Sequence, residues 1–324
     1  MSRVIGVLSG KGGVGKTTVV SNLGAVLTHD FRKNVLIFDS NLKTSHLGLH
    51  LGIYNQLSIT LEDVLKKNIP PMQAIFIHPT TGMRLMPAPL AASDVKITKL
   101  KNVIDELKEN YEIIVIDCAP GLGKEVMTAI KCIDEAIIIT TPDLPAVTDA
   151  LKTIDVLERL HKKILGIVLN KVRNESFELT SSEIESTCGC KVISTIPDSL
   201  KIPESISKGI PVTIYAGNSG VAVALKTLGA YLIGEEYLAP TIWDRLKSIF
   251  GFSGDGVKAY QAPVQMPATE KKISRFKKNK KMKEEVADIK KLKEEISEEV
   301  KEEVKKSVKE DILKRVKEKL EERM

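Results

Sequence analysis

The sequence predicts an α/β fold, a mainly parallel sheet flanked by helices, followed by a charged helical C-terminal extension. Three observations carry this. From residue 3 to about 236, short β-rich apolar runs alternate with longer stretches whose apolar residues recur at three and four. Several of the short runs are nearly continuous in apolar residues, as strands covered on both faces are. A glycine-rich turn joins the first strand to the first helix, and alternation of this kind builds parallel sheets through right-handed crossovers.

Taken in order, strands are expected at VIGVLS (4–9), VLIFD (35–39), RLMPA (84–88), IIVID (113–117), AIIITT (136–141), ILGIVLN (164–170) and KVISTIP (191–197). The first, second, fourth, fifth and sixth are the continuous ones. Helical periodicity marks such stretches as KTTVVSNLGAVLTHD (16–30), VKITKLKNVIDELKEN (95–110) and AVTDALKTIDVLERL (146–160). Beyond 237 the alternation stops. The expected organisation is an α/β domain over 1–240, a short amphipathic helix over 241–252, a linker with a basic segment over 253–283 and a Glu/Lys-rich helical tail over 284–324.

The chain's 324 residues, 43% hydrophobic and 28% charged, supply at least one sizeable core. No run approaches the ~18 to 20 apolar residues of a membrane span, and MSRVIGVLSGKGG lacks the apolar centre of a secretory signal. Cys118, Cys132, Cys188 and Cys190 are too few and scattered for a disulfide framework, so the expected setting is the reducing cytoplasm. Residues 1–270 carry 28 basic and 28 acidic side chains, whereas 271–324 carry 20 and 14, which supplies the whole formal charge of +6. Within it, 271–283 (KKISRFKKNKKMK) has eight basic residues and no acidic one. Attraction to anionic lipid or nucleic acid is expected there first.

The strongest motif is Gly10-Lys11-Gly12-Gly13-Val14-Gly15-Lys16-Thr17-Thr18, directly after a predicted strand and before a predicted helix. It satisfies G-x-x-x-x-G-K-[ST] in the setting that motif requires. Its glycines let backbone N–H groups wrap an anion, and the following helix presents its N-terminus. Lys16 is suited to the β- and γ-phosphates, and the Thr17 hydroxyl to Mg²⁺. The predicted fold is therefore that of a P-loop NTPase, with ATP and Mg²⁺ as expected ligands.

The narrower form K-G-G-V-G-K-T-T, with Lys11 just inside the loop, resembles the deviant Walker A motif of the MinD/ParA ATPases. In that family the signature lysine reaches across a nucleotide-sandwich dimer to the partner's phosphates, a cation that arrives only on dimerisation. The resemblance extends over roughly residues 1–236. Phe38-Asp39-Ser40-Asn41-Leu42 and the run from His46 to Gly52 look like its switch I, and Thr60 to Leu65 like its next helix. Asp117-Cys118-Ala119-Pro120-Gly121-Leu122-Gly123 resembles its Walker B strand end and switch II, which makes Thr17, Asp39 and Asp117 the metal residues. Thr141-Pro142-Asp143 through Thr148-Asp149-Ala150 is similar to a further family segment. Asn170 stands where the family places an adenine-reading asparagine, and Pro197 and Asp198 where a loop closes on the base.

One departure bears on chemistry. The second carboxylate of the family's D-x-D, which helps hold the attacking water, is Asn41 here. An amide orients water but takes up no proton, so nucleotide binding is expected to persist with slow hydrolysis. Lys11, Lys16 and Asn41 are thus the catalytic candidates. Cys188-Gly189-Cys190 forms no complete metal set in sequence. His29, His46, His50, His78 and His161 are expected to be satisfied or solvated side chains.

In the C-terminal region, Ile242, Trp243, Leu246, Ile249 and Phe250 share one helix face, suited to a membrane interface or to packing back on the core. The basic segment suits lipid or DNA equally. From Leu292 to Met324 aliphatic residues fall every fourth position, so the apolar stripe drifts by about 40° per step and sustains no coiled-coil seam. An extended helix that docks locally on a protein partner is expected.

The resemblance implies a Mg-ATP-dependent ATPase that dimerises in the ATP state and positions cellular machinery such as that of division, cytoplasmic and peripherally membrane-bound. Three alternatives stay open: a ParA-type DNA-segregation ATPase using 271–283; an Mrp-type iron–sulfur carrier, which would need a C-x-x-C pair absent here; and an ATP-binding adaptor with little hydrolysis, favoured by Asn41.

Overall fold

A computed structural model describes residues 2–91, 95 and 97–238; the segments 241–252, 253–283 and 284–324 lie outside the described residues. Strands β1 (Arg3–Leu8), β2 (Val35–Asp39), β3 (Phe76–Ile77), β4 (Arg84–Met86), β5 (Ile113–Asp117), β6 (Glu135–Thr140), β7 (Lys163–Val172) and β8 (Val192–Pro197) form one sheet in the order β3-β4-β2-β5-β1-β6-β7-β8. Every pairing is parallel except β3 with β4. All seven expected strands occur, their ends within two residues of expectation. The additional edge strand β3 has two residues, too few to carry a pattern.

Alternation at period two sorts the apolar runs between two cores. Val4, Leu8, Leu36, Phe38, Ile114, Ile116 and Ile138 face one side, and Ile5, Val7, Val35, Ile37, Val115, Ile137 and Ile139 the other. The first side is covered by α3 (Leu61–Lys67), α4 (Leu100–Leu107), α5 (Lys124–Cys132), α6 (Leu144–Arg159) and α7 (Ser181–Cys188). The second is covered by α1 (Lys16–Ala25), α2 (Leu47–His50), α8 (Lys201–Ser207), α9 (Val212–Tyr215) and α10 (Gly220–Ile233).

Three helices differ from expectation at their ends. The stretch 16–30 is helical throughout, but its last turn, Val26–Asp30, widens to π geometry. The stretch 95–110 contracts to α4, preceded by a 3₁₀ turn at Ile97–Lys99. Helix α6 starts at Leu144, earlier than its apolar period, because the Asp143 carboxylate accepts a hydrogen bond from Ala146 N at 3.0 Å and so fixes the first turn.

Charged clamps secure the amino edge of the sheet. Arg3 donates from Nη1 to Leu232 O at 2.7 Å, near the end of α10, and from Nε to Glu135 Oε2 at 2.9 Å. Lys163 Nζ reaches the other oxygen of Glu135 at 2.6 Å, and Lys33 pairs with Glu235 at 2.9 Å. Burial alone would raise the Glu135 carboxyl; the hydrogen bonds from Lys163 and Arg3 outweigh it and hold the group below the usual carboxylate range. At the opposite, carboxyl edge, the chain leaves β1 toward β2 on one side, while β6 lies on the other. Loops diverging at such a point open a crevice where α/β proteins bind ligands.

Candidate nucleotide site

The crevice is a cavity of about 690 Å³ floored by the loop between β1 and α1. Gly13 and Gly15 take φ of 80° and 96°, a region that glycine enters at no steric cost. Gly10 is constrained by approach: a Cβ there would lie 2.3 Å from Asp149 O on α6, so the loop lies directly on that helix. Gly12, Gly13, Gly15, Lys16, Thr17 and Thr18 line the cavity. Lys16 Nζ donates to Ser9 Oγ at 2.7 Å, and Ser9 Oγ in turn to Lys11 O at 2.7 Å. Burial pushes the Lys16 ammonium below its ordinary range, against the opposing pull of Asp117 and Cys118. An ammonium desolvated in this way, with a neutral hydroxyl as its partner, gains most from an arriving anion.

Asp39 and Asp117 end adjacent strands in register. Both are buried, and burial pushes both carboxyls above the usual range; Asp117 raises Asp39 further, while Thr17 and Lys16 restrain Asp117. Thr17 Oγ1 donates to Asp117 Oδ2 at 2.6 Å, and Asp117 Oδ1 is buried with no hydrogen-bond partner among the described residues. Asp39 is differently engaged, accepting from Asn41 N at 2.9 Å on Oδ1 and from Ser45 Oγ at 2.6 Å on Oδ2. A threonine hydroxyl, an unpartnered carboxylate oxygen and undercompensated negative charge suit a hard, oxygen-seeking cation such as Mg²⁺. Thr17 and Asp117 present the atoms for it, whereas Asp39 anchors the loop after β2.

Asn41 lines the same cavity, but its amide is engaged. Nδ2 donates to Thr44 O at 2.8 Å and to Thr44 Oγ1 at 3.0 Å, and Oδ1 accepts from Thr44 N at 3.1 Å. The side chain shapes its own loop and would have to exchange a partner to hold water. Asn170 is buried, and its Nδ2 donates to Val14 O at 2.8 Å, tying β7 to the loop. Pro197 ends β8 at the cavity wall, beside Asp198, which pairs with Arg173 at 2.7 Å.

Lys11 does not line this cavity. It lies in a second groove of about 370 Å³ with Thr141, Pro142, Asp143 and Lys171, half-exposed and 3.8 Å from Asp143. The loop therefore carries one lysine turned inward and one turned out.

Several residues of the site were not legible as such in the sequence. Lys171 Nζ donates to Gly13 O at 2.8 Å. Ile202, Pro203 and Ile206 of α8 form an apolar wall, and Thr44, His46 and His50 also line the cavity. The wall's spacing over i, i+1 and i+4 of a helix was the available signal for α8. The expectation that the histidines are satisfied or solvated fails at His50. Its Nδ1 is buried and meets no partner among the described residues, and burial, then the neighbouring His46, push the imidazole down to about 4. His46, at the cap of α2, and His50, at its end, are four apart and so on one side of the turn, a spacing that could have drawn attention to the pair. Cys118, Cys132, Cys188 and Cys190 take part in no disulfide, and the first three are buried. No helix among the described residues is long and apolar enough to cross a membrane.

With this geometry in hand, comparisons with known proteins agree. Residues 1–232 match the ParA family, NUBPL iron-transfer P-loop NTPases. An uncharacterized ATP-binding protein of Methanocaldococcus jannaschii is 34% identical over 242 residues, 74% of this chain and 90% of its own length. The cell division ATPase MinD of Pyrococcus furiosus superposes with a TM-score of 0.68 at 32% identity, covering 72% of this chain and 99% of that one. The septum site-determining protein MinD of Pyrococcus horikoshii, solved with Mg-ADP, gives 0.67 at 32% identity, covering 72% and 96%. A phosphate loop laid on α6, an inward Lys16, an outward Lys11 and in-register carboxyls at the strand ends meet in one chain, which belongs to the ParA family of P-loop NTPases, among its MinD-like ATPases.

Proposed function

We propose that this ATPase is a dimerising nucleotide switch, taking Mg-ATP in the crevice and using its nucleotide state to govern attachment to a surface or partner that positions cellular machinery, division machinery above all. The observation that carries the reading is the outward Lys11. A cation built into a phosphate loop, yet turned away from its own cavity and half-exposed, suits the phosphates of a second copy.

The chemistry follows from the chain's own groups. Backbone N–H groups of residues 12–16 cradle the phosphates, and Lys16 exchanges Ser9 for phosphoryl oxygen. Thr17 and Asp117, hydrogen-bonded to each other, would hold the cation, which would supply charge neutralisation at the phosphates when bound. Asn170, Pro197 and Asp198 flank the base. Asn41 is left to orient water without taking its proton, so turnover is slow. Mg-ADP in the P. horikoshii relative supports the ligand assignment.

The amphipathic segment 242–252 and the basic segment 271–283 supply the attachment to anionic membrane, making the protein cytoplasmic and peripherally bound, and the tail from 284 docks a protein partner. DNA in place of lipid is the competing target of 271–283. The test is light scattering with and without ATP. Lys11→Ala should bind a fluorescent ATP analogue normally yet stay monomeric, whereas Lys16→Ala should lose binding. A Lys11→Ala protein that dimerises as the parent does overturns the trans role.

A further inference from the structure

The side of the cavity opposite the P-loop is held by a joint between two distant turns. Gly52, just after α2, and Gly209, just after α8, both have φ of 65°. Their backbones touch so closely that a Cβ on Gly52 would lie 3.0 Å from the Cα of Gly209, and one on Gly209 2.7 Å from the Cα of Gly52. His78, 1% exposed, pins this joint. Thr81 N donates to its Nδ1 at 3.3 Å, which puts the imidazole proton on Nε2, and Nε2 donates to Leu51 O at 3.1 Å. The joint makes α2 and α8 one rigid corner. His50 precedes Gly52 by two residues and Ile206 precedes Gly209 by three, and both line the cavity.

The phosphate end of the cavity is fixed by Lys16 and Thr17, and the apolar wall of Ile202, Pro203 and Ile206 marks the nucleoside end. The joint sets His50 at that second end. Its Nδ1 is sealed off with no partner among the described residues, and an orphaned buried N–H is rarer than an orphaned lone pair. The ring proton therefore belongs on Nε2, leaving a neutral donor for the cavity. Lys16, Thr17 and the backbone N–H groups of the loop already serve the phosphates, so the acceptors left for a donor at the nucleoside end are neutral ones.

We propose that His50 is a nucleotide-binding residue that donates a hydrogen bond to a sugar hydroxyl of the bound nucleotide, with His78 as the positioning residue that holds its helix. The proposal rests on the ATP-binding reading above and assigns a contact within it.

The test is equilibrium binding of ATP, 2′-deoxy-ATP and 3′-deoxy-ATP to the full chain and to His50→Leu, His50→Gln and Lys16→Ala. One deoxy analogue should bind the parent about three- to tenfold more weakly than ATP, as the loss of one hydrogen bond gives. His50→Leu should bind ATP as weakly as that analogue and no longer distinguish the two, and His50→Gln should restore part of the distinction. Ratios of affinities are independent of the folded fraction, so a destabilised variant still reports. His78→Asn should weaken the same discrimination without abolishing ATP binding. An unchanged ATP to deoxy-ATP ratio in His50→Leu overturns the proposal, as does an equal loss for all three nucleotides. ATP binding that survives Lys16→Ala would instead overturn the nucleotide-site reading itself.

Discussion

Asn170 lies directly over Gly15: its Nδ2 donates to Val14 O at 2.8 Å, and a Cβ on Gly15 would fall 2.2 Å from that same nitrogen. The glycine is needed twice, for its φ of 96° and for the room it leaves the amide. Gly15→Ala should lower stability by about 1–3 kcal/mol and displace Asn170, weakening ATP binding at least about tenfold. Combining it with Asn170→Ala should remove the steric part, so the double variant loses less than the sum of the two single losses. Strict additivity in urea denaturation would contradict this contact.

Asn41→Asp restores a carboxylate near the expected position of the attacking water. Single-turnover hydrolysis should rise by about tenfold or more. Because a carboxylate cannot donate to Thr44 O, the same change should reduce stability by about 1 kcal/mol. An unchanged or slower rate would remove Asn41 from the account of slow turnover.

The pH dependence of stability should carry the mark of His50, whose imidazole is held at about 4 by burial and by His46. The unfolded chain accepts a proton near its ordinary pKa of about 6.5, while the folded one refuses it until about 4. Stability is therefore fully present above about pH 6.5 and is lost as pH falls toward 4, by on the order of 2 kcal/mol for a partly buried ring. Asp39 and Asp117, raised in the fold, slope the other way, but they do so in parent and variant alike. From about pH 7 to about pH 4.5 the urea midpoint of the parent should drop relative to that of His50→Leu; parallel slopes would refute the burial effect.

Trp243 is the chain's only tryptophan and reports on segment 242–252. With anionic vesicles and ATP its emission should shift to the blue, the shift should shrink with salt, and Phe250→Glu should weaken it. No shift in any nucleotide state would leave 271–283 to another partner.

The sequence made the phosphate loop legible because there chemistry dictates spacing: glycines at fixed offsets, then Lys16 and Thr17. Strands were legible because burial on both faces leaves apolar runs with few interruptions, as in Ile113–Asp117. The remainder depends on distance along the chain. Lys171 meets Gly13, and α8 faces α2, only after about 150 residues have been folded between them. Asn41 was legible as a missing carboxylate, but not as a side chain already spent on Thr44. His50 was misjudged because a histidine's identity says nothing of whether its surroundings supply a partner.

The Arg3 clamp sets where the chain leaves the sheet. It ties Leu232 O to the amino edge, while Lys16, Asp39 and Asp117 stand at the carboxyl edge. The end of α10 therefore lies at the edge of the sheet away from the phosphate loop. In the ATP-bound dimer proposed above, any weak contact made by one copy would be made twice, and the combined hold would rise by about 10² to 10⁴.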